Sequence, residues 1–280
     1  MQIASFRIDG SDTYGVVRQE NVIEASETFR EQFPDLRAVL AADALAALAA
    51  DSGGKQHALA DIEYLPSIPS PDKVICVGTN YRPHVAEMGV EVPDYPLLFV
   101  RFAGSQAGHR QPLIRPAVST KHDFEGELAV VVGRPARHVR RDTAYDYIAG
   151  YCCFMDGTAR DWQTHTTQYT PGKNFHQSGA MGPHLVTRDE IPDPTQLRLE
   201  TRINGEMMQT GGLDELIFDI PALLEYCSTF TELLPGDVIA TGTPGGVGVA
   251  RNPPLWLTPG DRVTVEVKGV GRLENVVHGD

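Results

Sequence analysis

The chain has 280 residues, with 24 Lys and Arg against 37 Asp and Glu, so its formal net charge is −13. A hydrophobic fraction of 41% and a charged fraction of 22% are typical of a folded globular protein and exclude collagen, coiled coil and intrinsic disorder. A pI near 5.1 without a Lys/Arg cluster argues against partners that are nucleic acids or anionic membranes.

The cysteines and the apolar stretches indicate where the protein resides. The four cysteines form no C-x-x-C pair, and adjacent Cys152 and Cys153 would point to opposite faces of a strand. The first residues lack the basic and apolar regions of a secretory signal. The most apolar stretch, residues 38–50, contains Asp43 and is too short to span a bilayer. We therefore expect a cytoplasmic protein with reduced thiols.

The first 65 residues predict a small α/β unit. Residues 3–8 and 14–25 have the apolar pattern of strands, separated by turn-forming residues. An alanine- and leucine-rich helix is predicted from Pro34 to Gly53-Gly54. The segment 66–71 then contains three prolines, which favours an extended linker.

This linker predicts a domain boundary, with a small N-terminal domain over 1–65 and a main domain over 66–280. In the main domain, Asn204-Gly205 is a strong hairpin signal, and short helices are predicted near 83–88, 143–147 and 220–229. The predicted strands are Lys73–Val77, Leu97–Phe102, Glu127–Val132, Tyr147–Met155, Leu197–Ile203, Val238–Ala240 and Val263–Val267. Because strands dominate and helices are few, the predicted fold class is α+β.

Three carboxylates stand at the ends of two apolar strands. Glu125 and Glu127 are two residues apart at the start of one strand and therefore face the same side, and Asp156 follows the strand that ends at Met155. A solvated strand start is the more common explanation of an isolated E-x-E. With Asp156, however, the set is oxygen-only and suits magnesium or manganese rather than zinc.

A histidine and a glutamate share one face of a predicted helix. Pro83 favours a helix start, which places His84 and Glu87 three residues apart on one face. A carboxylate beside an imidazole raises its basicity and fixes its tautomer, as a general base requires. A surface ion pair is the alternative, and for H-x-x-E alone it is the more common one.

Two further segments complete the pattern. Lys173 lies in a Gly/Pro loop, where a lysine is usually exposed. The segment 235–248 is rich in glycine but contains neither G-K-[ST] nor G-x-G-x-x-G, so it is not a nucleotide-binding loop. Its backbone N–H groups could hold a substrate carboxylate, and a tight turn between strands is the alternative.

In this order and at these spacings, the segments resemble the fumarylacetoacetate hydrolase superfamily over about residues 70–275. The sequence departs from the family pattern at Met155, where relatives usually have Asn, at Thr158, which replaces a common Ser, and over 174–178. These departures flank the expected substrate pocket and concern substrate identity. The matching segments are Lys73–Tyr81 with His84 and Glu87, Glu125–Leu128, Asp156–Gln163, Lys173 with Gly182-Pro183, and Pro235–Gly248.

The resemblance implies a β-rich roll of mixed sheets with a small N-terminal α/β domain, assembled as a homodimer. It implies that Glu125, Glu127 and Asp156 bind Mg²⁺, with Mn²⁺ or Ca²⁺ as alternatives. It also implies that His84 and Glu87 form a catalytic dyad on a mobile lid. Lys173 is the third implied catalytic residue. The implied substrate contacts are Tyr81, Arg101, Gln163, Gly242 and Thr243.

The leading hypothesis is a metal-dependent hydrolase that cleaves an acylpyruvate, a 2,4-dioxo acid, to pyruvate and a carboxylic acid. A metal chelated by the 2-oxo acid would act as a Lewis acid, the dyad would activate water, and Lys173 would steady the developing negative charge. The alternative is a decarboxylase, isomerase or hydratase acting on oxaloacetate or a related 2-oxo diacid. A non-catalytic metal-binding relative is a third hypothesis, which the dyad and the lysine disfavour.

Overall fold

The computed structural model describes residues 1–280. The first 65 residues form five strands and three short helices. The strands are β1 (Gln2–Ile8), β2 (Ser11–Arg18), β3 (Asn21–Glu24), β4 (Gln56–Ala58) and β5 (Glu63–Tyr64), and the helices are α1 (Glu27–Gln32), α2 (Leu36–Ala41) and α3 (Leu45–Ala50).

Two of the predicted elements in this region are divided. The strand predicted over 14–25 is interrupted by a turn at Gln19, whose φ is 55°. The helix predicted from Pro34 is two helices, because Asp43 has a φ of 52° and breaks the helical path. Asp35 caps the first of them by accepting a hydrogen bond from the Ala38 N–H.

The remaining chain adds fourteen strands and four α-helices to these. The strands are β6 (Val74–Gly78), β7 (Leu97–Arg101), β8 (Gln106–Ala107), β9 (Leu113–Arg115), β10 (His122–Asp123), β11 (Gly126–Val132), β12 (Ile148–Met155), β13 (Thr158–Ala159), β14 (Gly179–Thr187), β15 (Arg198–Ile203), β16 (Glu206–Gly212), β17 (Val238–Ala240), β18 (Arg262–Val267) and β19 (Gly271–Gly279). The helices are α4 (Arg82–Met88), α5 (Arg160–Gln163), α6 (Thr170–Lys173) and α7 (Ile220–Phe230), and a 3₁₀ helix covers Arg141–Tyr147.

Two mixed sheets build the roll. The larger sheet has the order β4-β3-β2-β1-β14-β12-β11-β17-β6-β7, and the smaller one β16-β15-β18-β19-β9. Strands β1 and β14 pair antiparallel, so the N-terminal strands extend the same sheet that carries the central strands. The division at residue 65 stays a prediction, since the two parts share this sheet.

Strand β11 is buried on both faces. Leu128, Val130 and Val132 face one hydrophobic core, and Ala129 and Val131 face the other. This explains why β11 reads as a continuous apolar run rather than as an alternating one. A strand held between two cores is a rigid support for the carboxylates at its start.

Strands β14 and β19 are absent from the predicted elements. The Gly182-Pro183 pair, which is part of the family resemblance, lies within β14, where the register with β12 shifts between Tyr151 and Cys153 and accommodates the missing proline donor. In β19 an inward-facing Asn275 interrupts the apolar alternation. Its amide is satisfied because it donates to the carbonyls of Gly108 and Gln111. None of the helices is long and apolar enough to cross a membrane.

Two buried histidines and one half-buried histidine predict how stability depends on pH. Burial lowers the pKa of His109, His122 and His184 to about 4 each, so all three are neutral in the folded protein at pH 6.5. In the unfolded chain a histidine titrates near 6.5, so the unfolded state binds more protons between pH 6.5 and 4.

We therefore expect the contribution of these histidines to the free energy of unfolding to be greatest above pH 6.5 and to decrease as the pH drops to 4. Each histidine should contribute a slope of up to about 1.4 kcal/mol per pH unit. Urea unfolding at several pH values measures this. His184→Gln can keep the hydrogen bond to the Val270 carbonyl but cannot bind a proton, so it should reduce the slope of the unfolding free energy against pH by the share of one histidine. An unchanged slope would contradict the lowered pKa of His184.

Candidate active site

The strand register brings the three predicted metal ligands together. Gly126 of β11 pairs with Met155 of β12, so the flanking Glu125 and Asp156 are adjacent, and the Asp156 N–H donates to the Glu125 carbonyl over 2.8 Å. One oxygen from each of Glu125, Glu127 and Asp156 lies within 4.8 Å of the others. All three side chains are buried.

Two of these carboxylates are neutralised by buried cations. Lys173 Nζ lies 2.6 Å from both Glu125 Oε2 and Asp156 Oδ2. Arg101 Nη1 donates to Asp156 Oδ1 over 2.5 Å, and Arg160 Nη2 donates to Glu125 Oε1 over 2.6 Å. Burial raises the pKa of Glu125, but the charges of Arg160 and Lys173 outweigh it and hold that pKa below its ordinary value.

The third carboxylate has no cationic partner. Glu127 accepts one hydrogen bond, 2.8 Å long, from the Gly242 N–H. Burial, followed by the charges of Asp156 and Glu125, raises the pKa of Glu127 well above its ordinary value. A divalent cation between the three carboxylates would keep Glu127 ionised, and an all-oxygen set of this kind fits a hard cation.

The predicted dyad forms on α4. His84 Nδ1 lies 3.3 Å from Glu87 Oε2, which leaves Nε2 for another partner. The Glu87 carboxylate is held from behind by the Gly246 N–H, at 2.9 and 3.0 Å from its two oxygens. His84 is 5% exposed, and the loop that holds Glu87 through the Gly246 N–H also holds Glu127 through the Gly242 N–H, which places the dyad next to the carboxylates.

The glycine-rich loop holds carboxylates of the protein itself. Gly242 N–H donates to Glu127 and Gly246 N–H donates to Glu87. The N–H groups of Gly248 and Val249 donate to Asp123 over 2.8 and 2.9 Å. The predicted use of this loop, to hold a substrate carboxylate, is therefore not available to these donors, since they already have anionic partners.

Two predicted substrate contacts have other partners. All five N–H donors of Arg101 are used, because they reach Asp156, the Gly157 carbonyl, Ser178 and both the hydroxyl and the carbonyl of Ser105. Arg101 therefore has no donor left for a substrate and instead positions Asp156.

Thr243 is in a similar position. Its hydroxyl donates to the Gly126 carbonyl and accepts from Gln209. Gly242 contributes its N–H to Glu127. Gln163 is half-buried beside Arg160 and accepts from its Nη1, whereas the buried Tyr81 hydroxyl has no hydrogen-bond partner. Of the five predicted contacts, Tyr81 and Gln163 keep polar atoms that could serve a substrate.

Sequence reasoning missed three residues of the site. Asp123 precedes Glu125 by two residues, and the extended D-x-E-x-E alternation was a signal for it. Arg160 bridges Asp123 and Glu125, at 2.8 and 2.6 Å. Gln209 contacts the loop from β16, and no local pattern marked it. A cavity of about 550 Å³ lies away from this site, between α2–α3 and the segment around Arg188.

Comparison with known proteins agrees with this geometry. A profile of the fumarylacetoacetate (FAA) hydrolase C-terminal region matches residues 73–278. The human protein named oxaloacetate tautomerase FAHD2A, mitochondrial, is 40% identical over 219 residues, which is 78% of this chain and 70% of that protein. Oxaloacetate tautomerase YisK of Bacillus subtilis is 39% identical over 229 residues, covering 80% of this chain and 76% of that protein.

Solved structures share the fold over the whole chain. Fumarylacetoacetate hydrolase from Exiguobacterium antarcticum matches with a TM-score of 0.87 and 32% identity, covering 100% of both chains. Maleylpyruvate hydrolase from Sphingobium sp. SYK-6, in complex with manganese(II) and pyruvate, matches with a TM-score of 0.80 and 26% identity, covering 100% of this chain and 99% of that one. The protein therefore belongs to the fumarylacetoacetate hydrolase superfamily and is a metal-dependent enzyme of that superfamily.

Proposed function

We propose that the protein is a divalent-metal-dependent tautomerase that interconverts the keto and enol forms of oxaloacetate or a related short 2-oxo diacid. The relatives named oxaloacetate tautomerase, about two fifths identical over more than three quarters of this chain, support this choice. The observation that carries it is the His–Glu dyad next to three buried carboxylates.

Tautomerisation requires one proton to move between C3 and the 2-oxo oxygen of a single substrate, and no second reactant has to enter. The site suits such a reaction, because the side chains of His84 and Lys173 are only 7% and 2% exposed. The relatives' substrate is small enough for a site of this kind. The burial of these two side chains would also limit the access of water to a reactive enol.

The residues of this chain divide the task. His84 takes the C3 proton at Nε2 and returns it to the oxygen, while Glu87 holds Nδ1–H and stabilises the imidazolium. The Gly246 N–H keeps Glu87 in place. Lys173 offsets negative charge close to Glu125 and Asp156. These roles need no rearrangement of the loop.

Glu125, Glu127 and Asp156 would hold Mg²⁺, with Mn²⁺ or Ca²⁺ as alternatives, and the ion would supply Lewis-acid polarisation of the 2-oxo carbonyl. With Asp123, the cluster contains four carboxylates but only three cationic side chains, which are those of Arg101, Arg160 and Lys173. The side chains alone therefore leave a net negative charge that a metal cation would balance. Homodimer assembly and a cytoplasmic location stay predictions.

We expect Glu127→Ala to weaken Mn²⁺ binding by more than the roughly 10–100-fold typical of residues that only support a ligand. Isothermal titration of the purified protein with Mn²⁺ measures this. Glu87→Ala is the matched control, since it removes the carboxylate of the dyad but none from the trio. Equal Mn²⁺ affinity in Glu127→Ala and wild type would contradict the ligand assignment.

We expect His84→Ala to lower the turnover number by about 10²–10⁴-fold, because a positioned general base contributes that much to the rate. Its Mn²⁺ affinity should be unchanged, since His84 lies outside the trio. The double variant with Glu87→Ala should be little worse than either single one, because the two act as a unit. Loss of metal in His84→Ala would instead make His84 a ligand.

Acylpyruvate hydrolysis is the second candidate. The structural match to maleylpyruvate hydrolase favours it, together with a dyad that could also activate water. We expect the decay of enol-oxaloacetate absorbance to accelerate in the presence of enzyme and metal, without release of carbon dioxide. Acylpyruvates should release pyruvate more slowly under the same conditions. Fast release of pyruvate with no effect on the enol would reverse this order.

A further inference from the structure

A closed ring of hydrogen bonds includes the backbone N–H and carbonyl of Gly126, the residue between two of the predicted metal ligands. Gly126 separates Glu125 from Glu127, and its N–H donates to Gln209 Oε1 over 3.0 Å. Its carbonyl accepts from Thr243 Oγ1 over 2.9 Å. Gln209 Nε2 closes the ring, because it donates to Thr243 Oγ1 over 2.8 Å.

This ring stands where the sheet ends. Strand β17 pairs with β11 only from Ala129 to Val131, so no backbone of β17 reaches Gly126. The side chains of Gln209 and Thr243 supply the partners that a longer strand would have provided. A buried peptide between two carboxylates therefore depends on side-chain hydrogen bonds for its position.

The Gln209 amide is fully used and its orientation is determined. It is 1% exposed, its oxygen faces a donor and its nitrogen faces two acceptors, Thr243 Oγ1 and the Pro244 carbonyl, each at 2.8 Å. The Pro244 contact lies two residues before Gly246, whose N–H holds Glu87 of the dyad. One side chain on β16 thus contacts both the metal-binding strand and the loop that supports the dyad.

We propose that Gln209 is a positioning residue that sets Glu125 and Glu127 for the metal and the 242–246 loop for the dyad. It touches neither substrate nor metal in this role. Its effect passes through Gly126 to the ligands and through Pro244 to Glu87. The inference rests on the metal site of the proposed function but on no particular substrate.

A matched control lies directly opposite Gln209. Thr201 of β15 pairs with Gln209 of β16, and its Oγ1 packs against Gly126, where an added Cβ would lie 2.0 Å away. The Thr201 hydroxyl is buried but has no hydrogen-bond partner. Thr201→Val therefore changes a buried contact of the same glycine without removing any bond of the ring.

The test compares Gln209→Met, which keeps the length and loses the amide, with Thr201→Val. Isothermal titration with Mn²⁺ is the first readout, and the turnover number at saturating Mn²⁺ is the second. We expect Gln209→Met to bind Mn²⁺ about 10–100-fold more weakly, the range typical of residues that orient metal ligands. Its turnover number should stay low at saturating Mn²⁺, since the dyad loop has also lost its support. Thr201→Val should match wild type in both.

A second variant keeps the test decisive if Gln209→Met fails to fold. Thr243→Val breaks the same ring with little change in shape and should also weaken Mn²⁺ binding. Where both fold, the double variant should be little worse than Gln209→Met, because the two side chains share one network. Mn²⁺ affinity within about two-fold of wild type in either folded variant would overturn the proposal. Absence of Mn²⁺ binding in the wild type would instead overturn the proposed metal site.

Discussion

The site depends on keeping carboxylates ionised where water is excluded. An isolated buried carboxylate would take up a proton, because a low-dielectric environment strongly disfavours the charged form. Here the ammonium of Lys173 lies between Glu125 and Asp156, and two arginines approach from the other sides. Glu127 receives no such partner, only a backbone N–H. The uncompensated charge therefore falls on the carboxylate that faces the predicted cation.

Backbone dipoles contribute as much as side chains to this arrangement. The N–H groups of one loop reach Glu127, Glu87 and Asp123, which belong to three different parts of the site. A displacement of that loop would disturb a metal ligand and the dyad together. Gly242 and Gly246 have φ of 104° and 103°, and a Cβ on Gly246 would meet the Met208 carbonyl at 2.1 Å, so glycine is required there.

The same arrangement explains how one superfamily includes proteins named as tautomerases, isomerases and hydrolases. Under the proposed function, proton transfer by the His84–Glu87 dyad and polarisation of a 2-oxo group would serve each of these reaction types, because each can pass through an enol or enolate. What differs is whether water or a second carbonyl can occupy the remaining space. Under the proposed function, Tyr81, whose buried hydroxyl has no partner, and Gln163, which is hydrogen-bonded to Arg160, are the side chains that would influence this choice.

The sequence by itself determined the local features. Apolar runs predicted most central strands, Asn204-Gly205 predicted the hairpin of β15 and β16, and ordered motifs predicted the superfamily, the carboxylate trio and the His84–Glu87 pair. Each depends on residues close together in the chain, where periodicity and turn chemistry act. The tertiary structure decided which side chains bind one another within the site. Arg101 binds Asp156 across 55 residues and Gln209 binds Gly126 across 83, and no local pattern encodes such contacts because they form only when separate strands pack together.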